Sequence, residues 1–264
     1  MSQPRHPADT LYPGGKRFPA LAACEHYAGS EKLLVKALQL QNELGPIFDI
    51  TGDCEDGAPV GGERDHAAMI ATIVASPDNR HARIGARIHD VSHPAWRDEL
   101  AVLIANAGAR IAYIVLPKAE CADDALTQIS ELDRLRGSHG VGREIPVHVL
   151  IETPGALRQA WEIARLPHVE SIDFGLMDFV SAHHGAIPAT AMRSPGQFAH
   201  PLVARAKAEI SAAALGNGVV PSHNVTTEIR DVAVVRDDAR RARLEFGYLR
   251  MWSIHPNQIQ PIVE

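Results

Sequence analysis

Apolar residues fall into two alternating patterns along the chain. Short runs rich in β-branched and aliphatic residues read as buried strands. They are Leu21–Tyr27, Pro46–Thr51, Ala82–Ile88, Ile111–Leu116, His148–Ile151, Val169–Gly175, Gly218–Ser222 and Leu249–Ile254. Between them the apolar positions recur at helical spacing. Ser30 opens a helix carrying Leu33, Leu34, Ala37, Leu38 and Leu44. A helix runs from about Gly62 to Ala75 and stops before Pro77. Pro94 starts one with Trp96, Leu100, Leu103 and Ile104 on one face. Further helices are predicted over Asp123–Leu135, from Pro154 with Leu157, Ala160, Trp161 and Ala164 buried, over Pro201–Leu215 and over Glu228–Phe246, with broken helical pieces after Met177.

Strand and helix therefore alternate eight times, the signature of a (β/α)8 TIM barrel, an α/β fold. A doubly wound open sheet would carry a glycine-rich phosphate turn after its first strand, and YAGSEK is not one. Residues 1–19 are rich in Pro, Gly and charge and read as irregular, leaving 20–264 as a single barrel domain. After the eighth strand only about ten residues remain. A full closing helix is then either lacking or swapped in from a neighbouring subunit.

In a parallel barrel the chemistry sits where strands end at their carboxyl termini. Glu55 and Asp56 follow the second strand, Arg87 ends the third, and Lys118 and Glu120 follow the fourth. Glu152 ends the fifth, Asp178 follows the sixth, His223 and Asn224 the seventh, and His255 the eighth. Two carboxylates from adjacent strands, Glu152 and Asp178, suit a magnesium ion that completes its shell with water and substrate oxygens. Arg87 can grip a substrate carboxylate with two parallel hydrogen bonds. Each residue also has a plainer reading. Glu152 sits where an acid caps the following helix, the DCEDG turn is a solvated acidic loop, and Lys118 is a surface charge.

The net charge of −6, with no basic stripe, argues against a nucleic-acid partner. No apolar run approaches the ~20 residues that cross a bilayer, and MSQPRHPADTLYPGGKRFPA lacks the apolar core of an export signal. The three scattered cysteines, Cys24, Cys54 and Cys121, fit a reducing cytoplasm better than a disulfide scaffold.

Six segments, in order and each at a predicted strand end, resemble the citrate lyase β-subunit group of the HpcH/HpaI aldolase and citrate lyase superfamily. DCEDG resembles its D-x-E-D element, ARIHD its V-R-x-N, and IVLPKAE its V-L-P-K-x-E. VLIETPGAL and DFGLMDF resemble its two metal-ligand segments, and GYLRMWSIHPNQI its G-[FY]-x-G-[KM]-W-x-I-H-P-x-Q-I ending. The likeness spans roughly residues 25–262. It implies a (β/α)8 barrel and Mg2+-dependent carbon–carbon lyase chemistry on an acyl-CoA thioester such as citryl-CoA or malyl-CoA, releasing an α-keto acid (oxaloacetate or glyoxylate). It implies Glu152 and Asp178 as metal ligands, Arg87 as the residue holding the substrate carboxylate, and Glu55, Asp56 and Lys118 as polar groups at the catalytic mouth. It implies a homotrimer or hexamer. The general base stays open among His26, His89, Glu55 and a group from a neighbouring subunit.

Two segments depart from the family pattern. The first strand usually reads R-S-x-L-F-V-P-G, whereas this chain has ACEHYAGS, with Glu25 and His26 at apolar positions and Ala28 for the proline. His89 replaces the asparagine of V-R-x-N. The first strand borders the region expected for CoA. A metal-dependent pyruvate aldolase without CoA and a malyl-CoA-type thioesterase are the competing enzymatic readings. A non-enzymatic binding protein is opposed by the intact Arg87, Glu152 and Asp178.

Overall fold

The computed structural model describes residues 18–264; the expected irregular stretch 1–17 lies outside them, and Phe18 and Pro19 have no regular structure. The chain runs β1 (Cys24–Ala28), α1 (Glu31–Leu44), β2 (Phe48–Asp53), α2 (Glu63–Ala75), β3 (Ile84–Arg87), α3 (Trp96–Ala107), β4 (Ile114–Leu116) and α4 (Ala122–Ser138). It continues β5 (Val147–Ile151), α5 (Pro154–Arg158), α6 (Ala160–Ile163), β6 (Val169–Phe174), α7 (Leu176–Ser181), a 3-10 turn, α8 (Gly196–Ala199) and α9 (Pro201–Asn217). It closes with β7 (Val220–His223), α10 (Val232–Phe246), β8 (Arg250–Ser253) and α11 (Pro256–Val263). Every strand is parallel to the next and β8 pairs with β1, so the sheet is a closed eight-stranded barrel as expected.

The helices begin and end where local chemistry dictates. Ser30, in extended backbone, accepts from the Leu33 amide to cap α1, and Asp231 does the same for α10 through Ala233. Gly218 and Gly247 take the left-handed conformation that stops α9 and α10. A short closing helix does form. His255 caps α11 with its ring on the Asn257 amide, Pro256 supplies the first turn, and Gln258 reaches back to the amides of Ile254 and His255. These caps stabilise two turns, shorter than the full closing helix that the residue count had ruled out. Trp161, expected in the buried face of its helix, instead lies at the surface, its Nε1 donating to Glu209 at 2.7 Å. No helix among the described residues is long and apolar enough to cross a membrane.

Side chains alternate across each strand, so one set faces the helices and the other the barrel axis. Outward residues such as Cys24, Phe48, Ile50, Ile84, Ile114 and Ile172 join the helices in the main apolar core. The inward set stacks in three levels. Nearest the amino ends of the strands lie Glu25, Asp49, Tyr113, His148 and Arg250, a polar level. Above them Tyr27, Val115, Leu150 and Trp252 form a small apolar cluster, with Tyr27 stacked on Trp252 at 4.6 Å between ring centroids. Above that, at the carboxyl ends, sit Asp53, Arg87, Glu152, Asn224 and Ile254.

Candidate active site

A cleft of about 310 Å3 opens at the carboxyl ends of the strands. One side is polar, with Asp53, Asp56, Arg87, Glu152 and Asp178. The other is apolar, with Phe174, Met177, Val225, Trp252 and Ile254. Four larger depressions exist among the described residues, about 600 Å3 at the opposite barrel mouth, about 480 Å3 beside α4, about 440 Å3 beside α10 and α11 and about 380 Å3 between α5, α7 and α9, but none of them brings Arg87, Glu152 and Asp178 together.

Glu152 is the first residue past β5, on the inward side, and is 1% exposed. The adjacent Thr153, not Glu152, caps α5 by accepting the Ala156 amide at 2.9 Å, so the helix does not need the carboxylate. Oε1 accepts the Lys118 backbone N–H at 2.7 Å. Burial first, and the charge of Asp178 second, push the Glu152 pKa up to about 8. Asp178 lies in the first turn of α7, half-buried and facing the same cleft. Gly175 lets the two segments meet: a Cβ there would fall 2.2 Å from Glu152 Oε2.

Arg87 is held from behind by a residue whose role the sequence reading missed. Asp53, its register partner across β2 and β3, takes Nε and Nη2 in a fork at 2.7 and 2.6 Å. Asp53 also accepts the amides of Glu55 and Gly57, which shapes the acidic turn. The other edge of the guanidinium turns to Glu55, with Nη1 2.8 Å from Oε2, and toward the cleft. Lys118 is no free surface charge. Its backbone adopts the left-handed conformation (φ 48°), and its Nζ donates to Glu55 and to Asp56, the latter at 3.0 Å. Burial opposes the ammonium charge, but these carboxylates outweigh it and hold the Lys118 pKa above its ordinary value. For Glu55 burial dominates and raises the carboxyl, against Arg87 and Lys118.

The histidines considered as bases fall elsewhere. His26 points outward, its Nδ1 2.7 Å from Ser253 Oγ and its ring edge-on to Phe48. Period-2 alternation puts it on the opposite face from Glu25 and Tyr27, which corrects that expectation. His89 is bound through its amide and its ring to Glu99 of α3 and stacks on His93. His223 also faces outward, against a buried lysine that the sequence gave no sign of. Lys207 of α9 is fully enclosed, and burial pulls its pKa well below the usual range. It donates to the side-chain oxygen of Asn224, and Asn224 donates in turn to Gln197 at 2.9 Å. Asn224, which lines the cleft, is thus fixed from outside the barrel.

The site as a whole is short of positive charge. Five carboxylic acids (Asp53, Glu55, Asp56, Glu152 and Asp178) face two cations, and both cations are engaged by the first three. Glu152 and Asp178 have no cation of their own among their contacts. Such an oxygen-donor pair fits a hard divalent ion.

A parallel barrel with two carboxylates and an arginine at its carboxyl rim has its polar groups where barrel enzymes carry their chemistry. The family model for HpcH/HpaI aldolase/citrate lyase matches residues 50–256, most of the chain, and the chain belongs to this family. A citrate lyase from Burkholderia xenovorans LB400 of known crystal structure is 56% identical and superposes with a TM-score of 0.92, over 94% of this chain and 77% of that one. The L-malyl-CoA/β-methylmalyl-CoA lyase of Cereibacter sphaeroides is 25% identical over 217 residues, 78% of this chain and 68% of that protein. The citrate lyase β subunit of Mycobacterium tuberculosis, solved with oxaloacetate and magnesium, shares the fold at a TM-score of 0.70 and 23% identity, over 92% of this chain and 96% of that one.

Proposed function

We propose that this chain is a Mg2+-dependent lyase that cleaves, or forms, a β-hydroxyacyl-CoA thioester of the malyl-CoA or citryl-CoA type, exchanging it with an acyl-CoA and an α-keto acid. The observation that carries the reading is the buried Glu152 beside Asp178, a carboxylate pair with no cation of its own, across the cleft from a braced arginine. The malyl-CoA lyase relative supports a CoA thioester as substrate, and the oxaloacetate and magnesium in the M. tuberculosis structure support a keto acid and this ion.

In this reading Glu152 and Asp178 hold the magnesium ion. When bound, the ion supplies Lewis acidity at the keto acid's carbonyl and carboxylate oxygens. Arg87 binds the substrate carboxylate through its Nη1 edge, which Glu55 shares in this structure at 2.8 Å, and the Asp53 fork fixes the guanidinium before substrate arrives. Glu55 ties Arg87 to Lys118, and the Lys118 amide holds Glu152, so the anion-binding half and the ion-binding half move as one piece. Asp56 and Lys118 set the charge at the rim. The apolar side, from Met177 to Trp252 and Ile254, excludes water from the acyl group.

A coupled assay tests this. Purified protein with Mg2+ should release an acyl-CoA and a 2-keto acid from malyl-CoA or citryl-CoA, or condense acetyl-CoA with glyoxylate or oxaloacetate. Turnover of pyruvate with an aldehyde and none of any CoA thioester would replace the reading with a CoA-independent aldolase. Thioester hydrolysis without keto-acid release would replace it with a thioesterase.

A further inference from the structure

Below the Tyr27–Trp252 layer the barrel holds a second group of ionisable side chains that the cleft does not use. Glu25 of β1, His148 of β5 and Asp173 of β6 are completely buried, and one ligating atom from each lies within 4.8 Å of the other two. Each is anchored from behind. Thr51 Oγ1 donates to Glu25 Oε1 at 2.7 Å, Glu170 Oε1 lies 3.1 Å from His148 Nε2, and Ser171 Oγ donates to Asp173 Oδ1. The remaining atoms, Glu25 Oε2, His148 Nδ1 and Asp173 Oδ2, have no hydrogen-bond partner. Nδ1 and Oε2 are 3.6 Å apart, too far for a hydrogen bond between them. Ser222 Oγ, beside Asp173 in the register, is equally unpartnered.

A core network assembled only for stability pairs its buried polar atoms with one another. Here each side chain spends one atom on a fixed partner and leaves the other without a hydrogen bond, Glu25 Oε2 keeping only longer ionic contacts with His148 at 3.6 Å and Arg250 at 3.5 Å. That is how metal ligands are held, and a carboxylate on the far ring nitrogen of the histidine is the commonest such brace. We propose that Glu25, His148 and Asp173 form a second metal site, inside the barrel and separate from the cleft, for a first-row transition dication such as Zn2+. One imidazole nitrogen and two carboxylate oxygens suit such an ion. The imidazole selects against magnesium and calcium, which favour all-oxygen shells. Ser222 or a water supplies the fourth position.

The surrounding charge is compatible with the ion. Arg250 pairs with Asp49 at 2.5 Å, and its Nη1 lies 3.5 Å from Glu25 Oε2. Asp49, Tyr113 and Glu170, which surround the cluster, line the depression at the amino-end mouth of the barrel, on the side opposite the cleft. Glu25 is one of the first-strand departures from the family pattern. Its side chain points into this interior and not toward the cleft where a CoA thioester would lie.

The test is equilibrium dialysis of the whole chain against Zn2+ in a large excess of Mg2+, with metal content measured by mass spectrometry. One Zn2+ per chain should be retained and should raise the thermal midpoint. Co2+ in its place should show visible ligand-field bands and nitrogen ligation by X-ray absorption. Asp173→Asn and Glu170→Gln should each weaken Zn2+ binding about 10- to 100-fold, whereas Glu152→Gln should leave it unchanged. Should His148→Gln fail to fold, the isosteric Asp173 and Glu170 variants decide the matter. The proposal is overturned if no Zn2+ is retained against Mg2+, if the Asp173 and Glu170 variants bind as the parent does, or if Glu152→Gln abolishes binding, which would place the ion in the cleft.

Discussion

Raising the pH from 6 to 8 should tighten magnesium binding about fiftyfold, because the ion must displace a proton from Glu152. Burial and the neighbouring Asp178 lift this carboxyl from its ordinary 4.5 to about 8. At pH 7 roughly nine-tenths of the metal-free protein then carries the proton, and the apparent affinity rises nearly tenfold per pH unit until it levels off above about pH 8. Stability follows with the opposite sign. A carboxyl whose folded pKa is raised favours the folded state fully below its unfolded value, and that contribution is lost as pH climbs through about 8. The loss is on the order of 5 kcal/mol across the window, and saturating Mg2+ should restore it. Titration calorimetry from pH 6 to 9, in two buffers of different ionisation heat, reads both the affinity and the protons released, about 0.9 per ion at pH 7. Glu152→Gln should abolish both the binding and its slope. A magnesium affinity that stays flat between pH 6 and 8 would refute the assignment of Glu152 as a buried, proton-carrying ligand.

Two further outcomes follow from the geometry. Gly175→Ala places a methyl 2.2 Å from Glu152 Oε2 and 2.5 Å from its Cβ. The carboxylate must shift by about 1 Å, lowering kcat/KM about a hundredfold in a protein that still folds; unchanged turnover would show that the Glu152 position is not critical. Arg87→Lys keeps the cation but loses the fork to Asp53, which should cost about 1–3 kcal/mol in thermal or denaturant unfolding and raise the KM for the keto acid in the condensation direction. If both quantities match the parent, Arg87 does not bind the substrate.

Much of this site was readable because strand alternation and turn residues reinforce each other. Glu152 follows a run of buried β5 residues and precedes a Thr-Pro helix start, so its place at the rim could be inferred without the structure. Asp53 carries a signal of the same kind. It shares alternation with Asp49 and Thr51, which puts it inward and level with Arg87, but its acidic neighbours made it look like one more solvated turn residue. Strand starts were placed early where flanking residues are buried without pairing, as with Ile111, which precedes β4. Leu33 and Leu44 fit the helical spacing of α1 yet are largely exposed, since that spacing alone does not say how wide the buried face is. Lys207 gave no signal at all. On an Ala-rich helix a lysine reads as solvated, and only the packing of α9 over β7 encloses it.

The stacked Tyr27 and Trp252 act as a diaphragm across the barrel. It sets the polar rim of the cleft apart from the buried Glu25, His148 and Asp173 beneath. The same partition is only one side chain thick. A truncation such as Trp252→Ala would open it and bring water from the cleft toward carboxylates that the intact barrel keeps dry.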